Sequence, residues 1–462
     1  MMTNRNSHLL TAMAAFLVLF SLGCGGSDAA VLPDGALPPD AAVSPDGAVL
    51  PDDAAVIPDA TVSPDDAAVT DTDAGTDAGA NGGLPTDCTG LDDFTPCFVV
   101  TAPDRDYDIC VNEVCVSPGC GDATCNTPGP HFPLADTNQR LCYDDHAEMT
   151  CPSEGADFYG QDAQYGWDVT NDSTVRFARD TTTVSTNPVV TDNVTGLMWQ
   201  GCAAGLTDAS CATGTVATYT WADALLYCDG LSYGGYIDWR LPDEYELDSI
   251  VDAGKDAPSI DTPAFPATPS NHFWTSASLS GSPSIAWYVS FSAGDVQSFD
   301  KSSTYYVRCV RGGPTPQPRR FTRDTSVSGY PVVADSTTGL EWQGCTAGWM
   351  GDDCTSDDTT VTGDTFTWQN ALSHCGNLSW AGHSDWRLPN RKELRSIVDN
   401  HLASPSIDTT AFPATPSYGF WSSSSFAWLQ IGAWLVYFSD GSVANPPKVG
   451  PTNYARCVRG GH

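Results

Sequence analysis

The chain has 462 residues, 17 of them cysteine, and a formal net charge of −37 at pH 7. Its length allows about three domains. The acidity is concentrated in the N-terminal part, because between residues 25 and 175 only Arg105 and Arg140 are basic. Nucleic acids and anionic lipid headgroups require a stripe of Lys and Arg that this chain does not supply. We therefore exclude nucleic acid as a partner, and we interpret the charge as a device for solubility.

The N-terminus has the features of an export signal. Arg5 precedes a short apolar run that ends at Leu22 and is too short for a stable membrane span. A small residue before Cys24 resembles a bacterial lipobox, with Ser21 where such signals usually have Leu. This predicts a signal peptide over 1–24, lipidation of Cys24 and anchoring to the outer membrane or cell surface. The alternative is an ordinary secretory signal, and both routes lead to an oxidising compartment.

Residues 25–84 repeat Pro-Asp in units such as VLPDGA, LPPDAA and VIPDAT. Proline fixes φ and the aspartates repel one another, so the pattern predicts an extended, disordered segment without a core. We interpret it as a stalk between the lipid and the globular part. A ligand segment for a proline-binding domain is the alternative.

Residues 85–155 carry eight cysteines and little hydrophobic sequence. Disulfides must then supply the stability of this module. An even number of cysteines in an exported chain is typical of a disulfide framework, and zinc binding through the C-x4-C spacings is the alternative. The cysteines are Cys88, Cys97, Cys110, Cys115, Cys120, Cys125, Cys142 and Cys151.

The remainder is an internal duplication, with copies over 176–313 and 320–462 joined by the linker 314–319. Each copy is long enough to bury its own core. The repeated motifs are RFARD and RFTRD, DNVTGLMWQGC and DSTTGLEWQGC, DWRLP, PSIDT, AFPATPS, FWTSAS and FWSSSS, and YVRCVRGG and YARCVRGG.

Each copy is predicted to be α+β. The Thr-Gly turn and the apolar residues of TGLMWQ predict a strand, and AWYVSFSAGDV and YYVRCV alternate like antiparallel strands. Residues from Trp221 to Cys228 place their apolar side chains on one helical face, with Thr220 as the N-cap. A second helix is predicted after Asp243, because Asp243 and Glu246 have the spacing of a capping box.

The ordered motifs TGLxWQxC, TWxxAL, DWRLPxxxEL and RCVRG occur in both copies. Together they resemble the C-terminal domain family of the Legionella collagen-like protein, Lcl, formerly a domain of unknown function. Tandem copies behind an acidic stalk resemble lipoproteins of myxobacteria. More distantly, WRLPxxxEL and RCVRG resemble formylglycine-generating sulfatase-modifying domains, which implies a C-type-lectin-like fold for each copy.

The lectin-like resemblance also implies a disulfide pattern. Such a unit ties its first helix to its last strand, and the two cysteines left in each copy would close a local loop. Four cysteines allow three connectivities, so two alternatives remain open for each copy. The implied pairs are Cys228–Cys309, Cys375–Cys457, Cys202–Cys211 and Cys345–Cys354.

Catalysis is not predicted. Formylglycine-generating enzymes use active-site cysteines, and the implied pairing leaves none in the copies. No histidine is shared, because His272 corresponds to Tyr418 and His374 corresponds to Tyr227. A duplicated Ser-His-Asp, Cys-His or metal-hydrolase site is therefore excluded. A divergent or degenerate enzyme of the formylglycine-generating type remains an alternative.

Polar and aromatic residues that recur in both copies are expected to be mainly structural, with Arg240 and Arg308 in ion pairs or on carbonyls. Recurrent tryptophans are expected in the core. Apart from a possible calcium site made of aspartates and neighbouring carbonyls, no cofactor is predicted. The candidate calcium ligands are Asp252, Asp261, Asp399 and Asp408. The aromatics expected at a contact surface, because they differ between the copies, are Tyr233, Tyr236, Trp349, Trp380 and Trp428.

The combined prediction is a non-enzymatic binding or adhesion protein of the cell surface, with a surface glycan or protein as its ligand. Membrane contact would come only through the lipid anchor. Lcl-type domains are implicated in adhesion to sulfated glycans, but sulfates need a basic patch and both copies are net acidic. A structural or assembly role in the envelope is the second hypothesis. Binding specificity is expected in the loops where the copies differ.

Overall fold

The computed structural model describes residues 134–165, 176–312, 320–359, 364–450 and 452–460, together with the backbone of three short strands before them. The predicted signal peptide, Cys24, the stalk over 25–84 and the linker over 314–319 lie outside the described residues. So do the side chains of the first six cysteines of the Cys-rich module.

The part that precedes the copies is made of short strands. Strands β1 to β3 form an antiparallel sheet in that order, and β4 and β5 form a hairpin. A 3-10 turn follows at Asp162–Gln164. The strands are β1 (Pro96–Cys97), β2 (Asp108–Val111), β3 (Val114–Val116), β4 (Cys142–Tyr143) and β5 (Glu148–Met149).

The first copy has two helices, α1 (Trp221–Asp229) and α2 (Glu244–Ser249). Its strands are β6 (Phe177–Asp180), β7 (Val189–Asp192), β8 (Leu197–Gln200), β9 (Leu206–Thr207), β10 (Thr213–Gly214), β11 (Thr218–Tyr219), β12 (His272–Leu279), β13 (Ser282–Ser290), β14 (Val296–Asp300), β15 (Tyr305–Tyr306) and β16 (Val310–Gly312).

The second copy repeats this order with α3 (Trp368–Gly376) and α4 (Arg391–Ser396). Its strands are β17 (Phe321–Asp324), β18 (Val332–Asp335), β19 (Leu340–Gln343), β20 (Trp349–Met350), β21 (Ser356–Asp357), β22 (Gly419–Ser425), β23 (Ala433–Tyr437), β24 (Val443–Ala444) and β25 (Val458–Gly460).

The helix starts follow the sequence signals. The Thr220 hydroxyl accepts a hydrogen bond from the Asp223 amide at 3.3 Å, which satisfies one free N–H of the first turn of α1. Asp243 and Glu246 form the predicted capping box at α2, and Asn390 and Glu393 form its counterpart at α4. These predictions, and the mixed α and β content, are confirmed.

Each copy has a four-stranded antiparallel sheet, ordered β16-β8-β7-β6 in the first and β17-β18-β19-β25 in the second. A further sheet of eight strands runs through both copies in the order β11-β15-β12-β13-β14-β24-β23-β22. The copies meet where Val296 of β14 pairs with Val443 of β24. Beside this pair, the side-chain amide of Gln297 donates a hydrogen bond to the Val443 carbonyl at 2.8 Å. One buried apolar cluster includes Leu247 and Leu394, so the core is also continuous.

The recurrent residues are structural, as expected. The Arg308 guanidinium donates to the Gln200 carbonyl, and Arg456 makes the equivalent bond to Gln343. Arg240 forms an ion pair with a glutamate of the following helix at 2.5 Å. The ten recurrent tryptophans are all 2 % exposed or less: Trp199, Trp221, Trp239, Trp274, Trp287, Trp342, Trp368, Trp386, Trp421 and Trp434.

Every cysteine whose side chain is described is in a disulfide. In each copy one bond joins the first helix to the residue before the last strand, and one closes a loop over a separation of 9 residues. These are the pairings that the lectin-like resemblance implied. Disulfides persist in oxidising compartments, so they indicate an exported protein. The bonds are Cys142–Cys151, Cys202–Cys211, Cys228–Cys309, Cys345–Cys354 and Cys375–Cys457.

Helices α2 and α4 face each other with opposite charges at equivalent positions. Their sequences are EYELDS and RKELRS, so acids in the first copy correspond to arginines in the second. The Asp248 carboxylate pairs with the Arg391 guanidinium at 2.5 Å, and the side chains are 6 % and 0 % exposed. Arg395 lies 4.8 Å over the Tyr245 ring, and the Tyr245 hydroxyl donates to the Val398 carbonyl at 2.7 Å.

Residues 134–165 pack on the second copy. The side-chain amide of Gln139 donates a hydrogen bond to the Ser425 carbonyl and accepts one from the Ser425 backbone N–H. The side chain therefore pairs with the end of strand β22 as the backbone of a neighbouring strand would. The Asp162 carboxylate accepts hydrogen bonds from the Thr137 and Ser424 hydroxyls. The predicted module boundary at residue 155 therefore falls inside a segment that packs on the second copy.

Lys392 of α4 fixes three parts of the molecule at one point. Its ammonium group donates to the carbonyls of Asp136, Ser249 and Val251 at 2.8 to 3.0 Å. The segment 134–165 and both copies therefore meet at this side chain. Within the described residues, no helix is both long and apolar enough to cross a membrane.

We predict that Asp248→Asn lowers the free energy of unfolding by about 3 to 5 kcal/mol, because it leaves the Arg391 guanidinium buried beside a neutral amide. Chemical denaturation of the full chain measures this loss. The matched control is Asp238→Asn, since the Asp238 side chain is 56 % exposed and its pair with Arg311 is worth less than about 1 kcal/mol. Equal losses in the two variants would contradict the importance of the buried pair.

We also predict that stability falls as the pH rises from about 4 to 7. Burial, with the charge of Asp136 as the second cause, raises the pKa of the Asp162 carboxyl to about 7. The folded chain then holds this proton more tightly than the unfolded chain, so the stabilisation is complete below about pH 4 and is lost through pH 7. Burial lowers the pKa of Lys392 to about 7. The loss of its proton therefore raises stability only above pH 7, outside this window.

Thermal melts of the wild type and Asp162→Asn across this range test the assignment. The asparagine variant should have a flatter profile than the wild type between pH 4 and pH 7. If the two profiles have the same slope, Asp162 is not the titrating group.

Candidate functional site

An open groove of about 590 Å³ lies where the two copies join. One wall comes from the turn before β14 and from β14 itself, and the other comes from β24 and the loop after β22. Neither copy alone supplies both walls. The lining residues are Ala293, Asp295, Gln297, Phe426, Trp428, Leu429, Val443, Ala444 and Asn445.

The loop after β22 differs in polarity from its counterpart in the first copy. Both copies have seven residues here, LSGSPSI at 279–285 and FAWLQIG at 426–432. Trp428 therefore occupies the position of Gly281, and Leu429 that of Ser282. The Trp428 and Leu429 side chains are 69 % and 52 % exposed. In the first copy these residues form a tight hairpin, because β12 ends at Leu279 and β13 begins at Ser282, whereas in the second copy β22 ends at Ser425 and β23 begins at Ala433. The aligned positions are thus polar in one copy and apolar, but exposed, in the other.

The apolar loop is held in place from below. The Phe426 ring is buried and lies 5.1 Å from the Trp434 ring and 6.2 Å from that of Trp428. The Phe426 amide donates to the Gly432 carbonyl at 3.0 Å, and the Lys448 amide donates to the Ile431 carbonyl at 2.7 Å. The exposure of Trp428 therefore results from an ordered backbone.

The opposite wall places a carboxylate in the groove. Asp295 follows Gly294, whose φ of +93° favours glycine, and a Cβ there would lie 3.0 Å from the Val251 side chain and 3.1 Å from an Arg391 nitrogen. Burial raises the pKa of Asp295, while the charges of His272 and Arg391 act to lower it. The turn is thus packed against the interface of the two copies.

Aromatic side chains of the first copy continue from this wall. Gln297 is opposite Tyr288 in the β13–β14 register, and opposite residues in an antiparallel pair share a face. The Tyr288 ring lies 5.2 Å from that of Tyr305, which lies 6.2 Å from the Phe299 ring. Phe299 is 51 % exposed. We call Tyr288, Phe299 and Tyr305 the aromatic stripe.

The groove has the composition of a binding site. Its lining is mainly apolar, with one carboxylate and two amides, Asp295, Gln297 and Asn445. Sites of this size that bind small molecules are lined in the same way, with a few polar groups that orient the ligand. Among the residues that line it there is no His, Cys, Lys or Arg, so a nucleophile with an adjacent base is not assembled there.

The structure places the predicted calcium ligands in turns of their own. Asp252 accepts from the Gly254 amide and pairs with Lys255, and Asp261 accepts from the Ala264 amide. In the second copy, the carboxylates accept backbone hydrogen bonds within two or three residues, as seen for Asp399 and Asp408. Calcium binding stays a prediction.

A different group of residues, which could hold a metal ion, was not predicted from the sequence. Asp144, Asp145 and His146 have ligand atoms within 4.8 Å of one another, in the loop closed by the Cys142–Cys151 disulfide. None of the four predicted calcium ligands belongs to a group of three such residues within the described ranges. The consecutive residues Asp-Asp-His in the sequence could have predicted this group.

Two of the five predicted contact aromatics are wrong. Tyr233 and Trp380 are 4 % and 1 % exposed. The two residues occupy equivalent positions, so this position is aromatic in both copies and belongs to the core. The Trp380 indole donates a hydrogen bond to the Pro331 carbonyl at 2.8 Å. Trp349 is half-buried, and Tyr236 is 36 % exposed beneath the Arg311 guanidinium. Of these five aromatics, Trp428 is the one that is exposed and also lines the groove.

The two histidines that correspond to tyrosines in the other copy also lie in structural surroundings. His272 stacks on Tyr288 at 4.4 Å, and His374 lies 4.9 Å from the Phe366 ring. Burial lowers the pKa of both imidazoles.

The copies coincide with a known domain. The family model of the Lcl C-terminal domain matches residues 188–311 and 331–459. No curated protein matches the chain. The two matches together cover more than half of its length, and each contains both helices, both disulfides and most of the strands of its copy. The chain therefore belongs to the Lcl C-terminal domain family, as a protein with two tandem copies of that domain.

Proposed function

We propose that this protein is a non-enzymatic binding or adhesion protein of the cell surface, and that its ligand occupies the groove between the two copies. The observation that carries the proposal is the exposed Trp428–Leu429 pair, in a loop whose counterpart in the first copy is Gly281–Ser282. Holding two large apolar side chains in water has no benefit for folding. Exposed apolar surface beside polar groups marks interaction sites in soluble proteins.

The duplication supports a binding role. The walls come from different copies, so the groove forms when the copies pair. The equivalent surface on the other side of the junction would be lined by Ser442 and the loop that contains Gly281. The two sides of the junction therefore differ in one loop and in one turn, and the proposed site lies on the side that carries Trp428 and Asp295.

A non-enzymatic role is consistent with the chemistry of the described residues. All ten cysteines whose side chains are described are paired, which leaves no thiol there for formylglycine-generating chemistry. His272 and His374 face aromatic rings, and His401 faces an aspartate.

The proposal includes the cellular setting predicted from the sequence. Lipidation at Cys24 would fix the chain to the outer membrane, and the acidic segment 25–84 would hold the copies away from it. A C-type-lectin-like fold for each copy is part of the same proposal. The disulfides that tie α1 to the residue before β16, and α3 to the residue before β25, support it.

We predict that exchanging the loop removes binding without unfolding the protein. The variant Ala427→Ser, Trp428→Gly, Leu429→Ser, Gln430→Pro and Ile431→Ser installs the residues of the first copy. It should lower the affinity of the purified full-length protein for an immobilised cell-surface extract at least tenfold. None of the five positions is buried, so the variant should still fold and show a single cooperative thermal transition.

Ile237→Ser is the matched control, because Ile237 is 79 % exposed on the first copy and does not line the groove. It should bind as the wild type does. Unchanged binding in the loop variant would contradict the proposed site. Loss of self-association in sedimentation, with no change in extract binding, would favour the envelope-assembly role instead.

A further inference from the structure

We infer that the groove binds an uncharged oligosaccharide that stacks on Trp428 and extends toward the aromatic stripe of the first copy. This inference rests on the proposed function and adds the chemical class of the ligand. It draws on three independent features: the surface chemistry of the groove, its charge, and the hydrogen bonding of the strands beneath it.

The first feature is the combination of flat rings with side chains that exchange hydrogen bonds. A sugar ring has an apolar C–H face and a rim of hydroxyl groups. The exposed indole of Trp428 can cover the apolar face, and the Asp295 carboxylate and the Asn445 amide can bond the hydroxyls. An entirely apolar ligand would remove water from the Asp295 carboxylate without adding a hydrogen bond to it.

The second feature is the sign of the charge. The groove has one carboxylate and, among its lining residues, no Lys or Arg. The nearest guanidinium behind the turn is Arg391, which is fully buried and paired with Asp248. A sulfate or uronate on the ligand would therefore meet Asp295 with no Lys or Arg among the lining residues to compensate its charge. Neutral sugars avoid this cost.

The third feature excludes one common mode of peptide binding. Strand β14 is hydrogen-bonded to β13 on one side and to β24 on the other, and Gln297 adds a bond to the Val443 carbonyl. The pairing with β24 is a single residue pair, Val296 with Val443, and the Gln297 side chain bonds beside it, so a peptide cannot join the sheet at these two residues as an added strand. At this point of the groove a ligand must therefore bind through side chains, as sugars do.

The position of the aromatic stripe gives the ligand a direction. Gln297 lies in the groove and is also opposite Tyr288, the first residue of the stripe. Phe299 is two residues further along β14 and is half exposed. An oligosaccharide that begins on Trp428 can therefore continue across Gln297 toward Phe299, which makes Phe299 a second stacking position outside the groove.

The test uses the purified full-length protein and an immobilised cell-surface extract that is untreated, oxidised with periodate or digested with protease. Periodate cleaves the vicinal diols of sugars. We expect periodate to abolish binding and protease to leave it. Cellohexaose and mannohexaose, whose sugars carry vicinal diols, are neutral competitors, and a heparin hexasaccharide is the anionic one. At least one neutral hexasaccharide should displace the protein, and heparin should not.

The variants locate the contact. Trp428→Ala should weaken binding at least tenfold, Trp428→Phe should restore part of it, and Phe299→Ala should weaken it severalfold. Ile237→Ala is the control and should have no effect. If protease removes binding and periodate does not, or if heparin displaces the protein, the inference is wrong while the proposed function stands. If Trp428→Ala and the exchanged loop both bind normally, the proposed function fails as well.

Discussion

The buried charge pair between α2 and α4 is the constraint on which the rest of the structure depends. Acidic residues of the first copy meet basic residues at the equivalent positions of the second, and Asp248 with Arg391 is the closest pair. Two first copies would place acids against acids in this arrangement, and two second copies would place arginines against arginines. Each copy therefore pairs favourably with the other kind, and the tandem folds as one unit with a shared sheet and core.

The groove is a consequence of that pairing. Arg391 lies behind the turn that carries Asp295, so the interface supports one wall directly. The segment 134–165 supports the other side, because it packs on β22 through Gln139. The exposed Trp428 therefore lies on a surface that is supported from behind by the buried charge pair.

Sequence reasoning predicted what depends on local pattern or on duplication. The capping boxes at Asp243 and Asn390 depend on a spacing of three residues, and the recurrent tryptophans are visible by comparing the copies. The lectin-like resemblance, rather than the spacing, implied the helix-to-strand disulfides. Comparing the copies misled in one place, because Tyr233 and Trp380 were treated as unmatched although both are aromatic at one buried position.

The site could be predicted only in part. Trp428 was among the candidates because it differs between the copies, but nothing in the sequence places it beside Asp295, which is far from it in the chain. That proximity requires the register of β14 with β24 and the opposed charges of two short helices. Such contacts join residues about 140 positions apart, and no local pattern encodes them.

Hydrogen exchange of the full chain with and without Asp248→Asn tests most directly whether the interface of the copies holds the groove. The account predicts faster exchange in 293–297 of the first copy and in 426–432 of the second together, with β7, β8, β18 and β19 unchanged. Faster exchange confined to α2, with both groove segments unchanged, would contradict it.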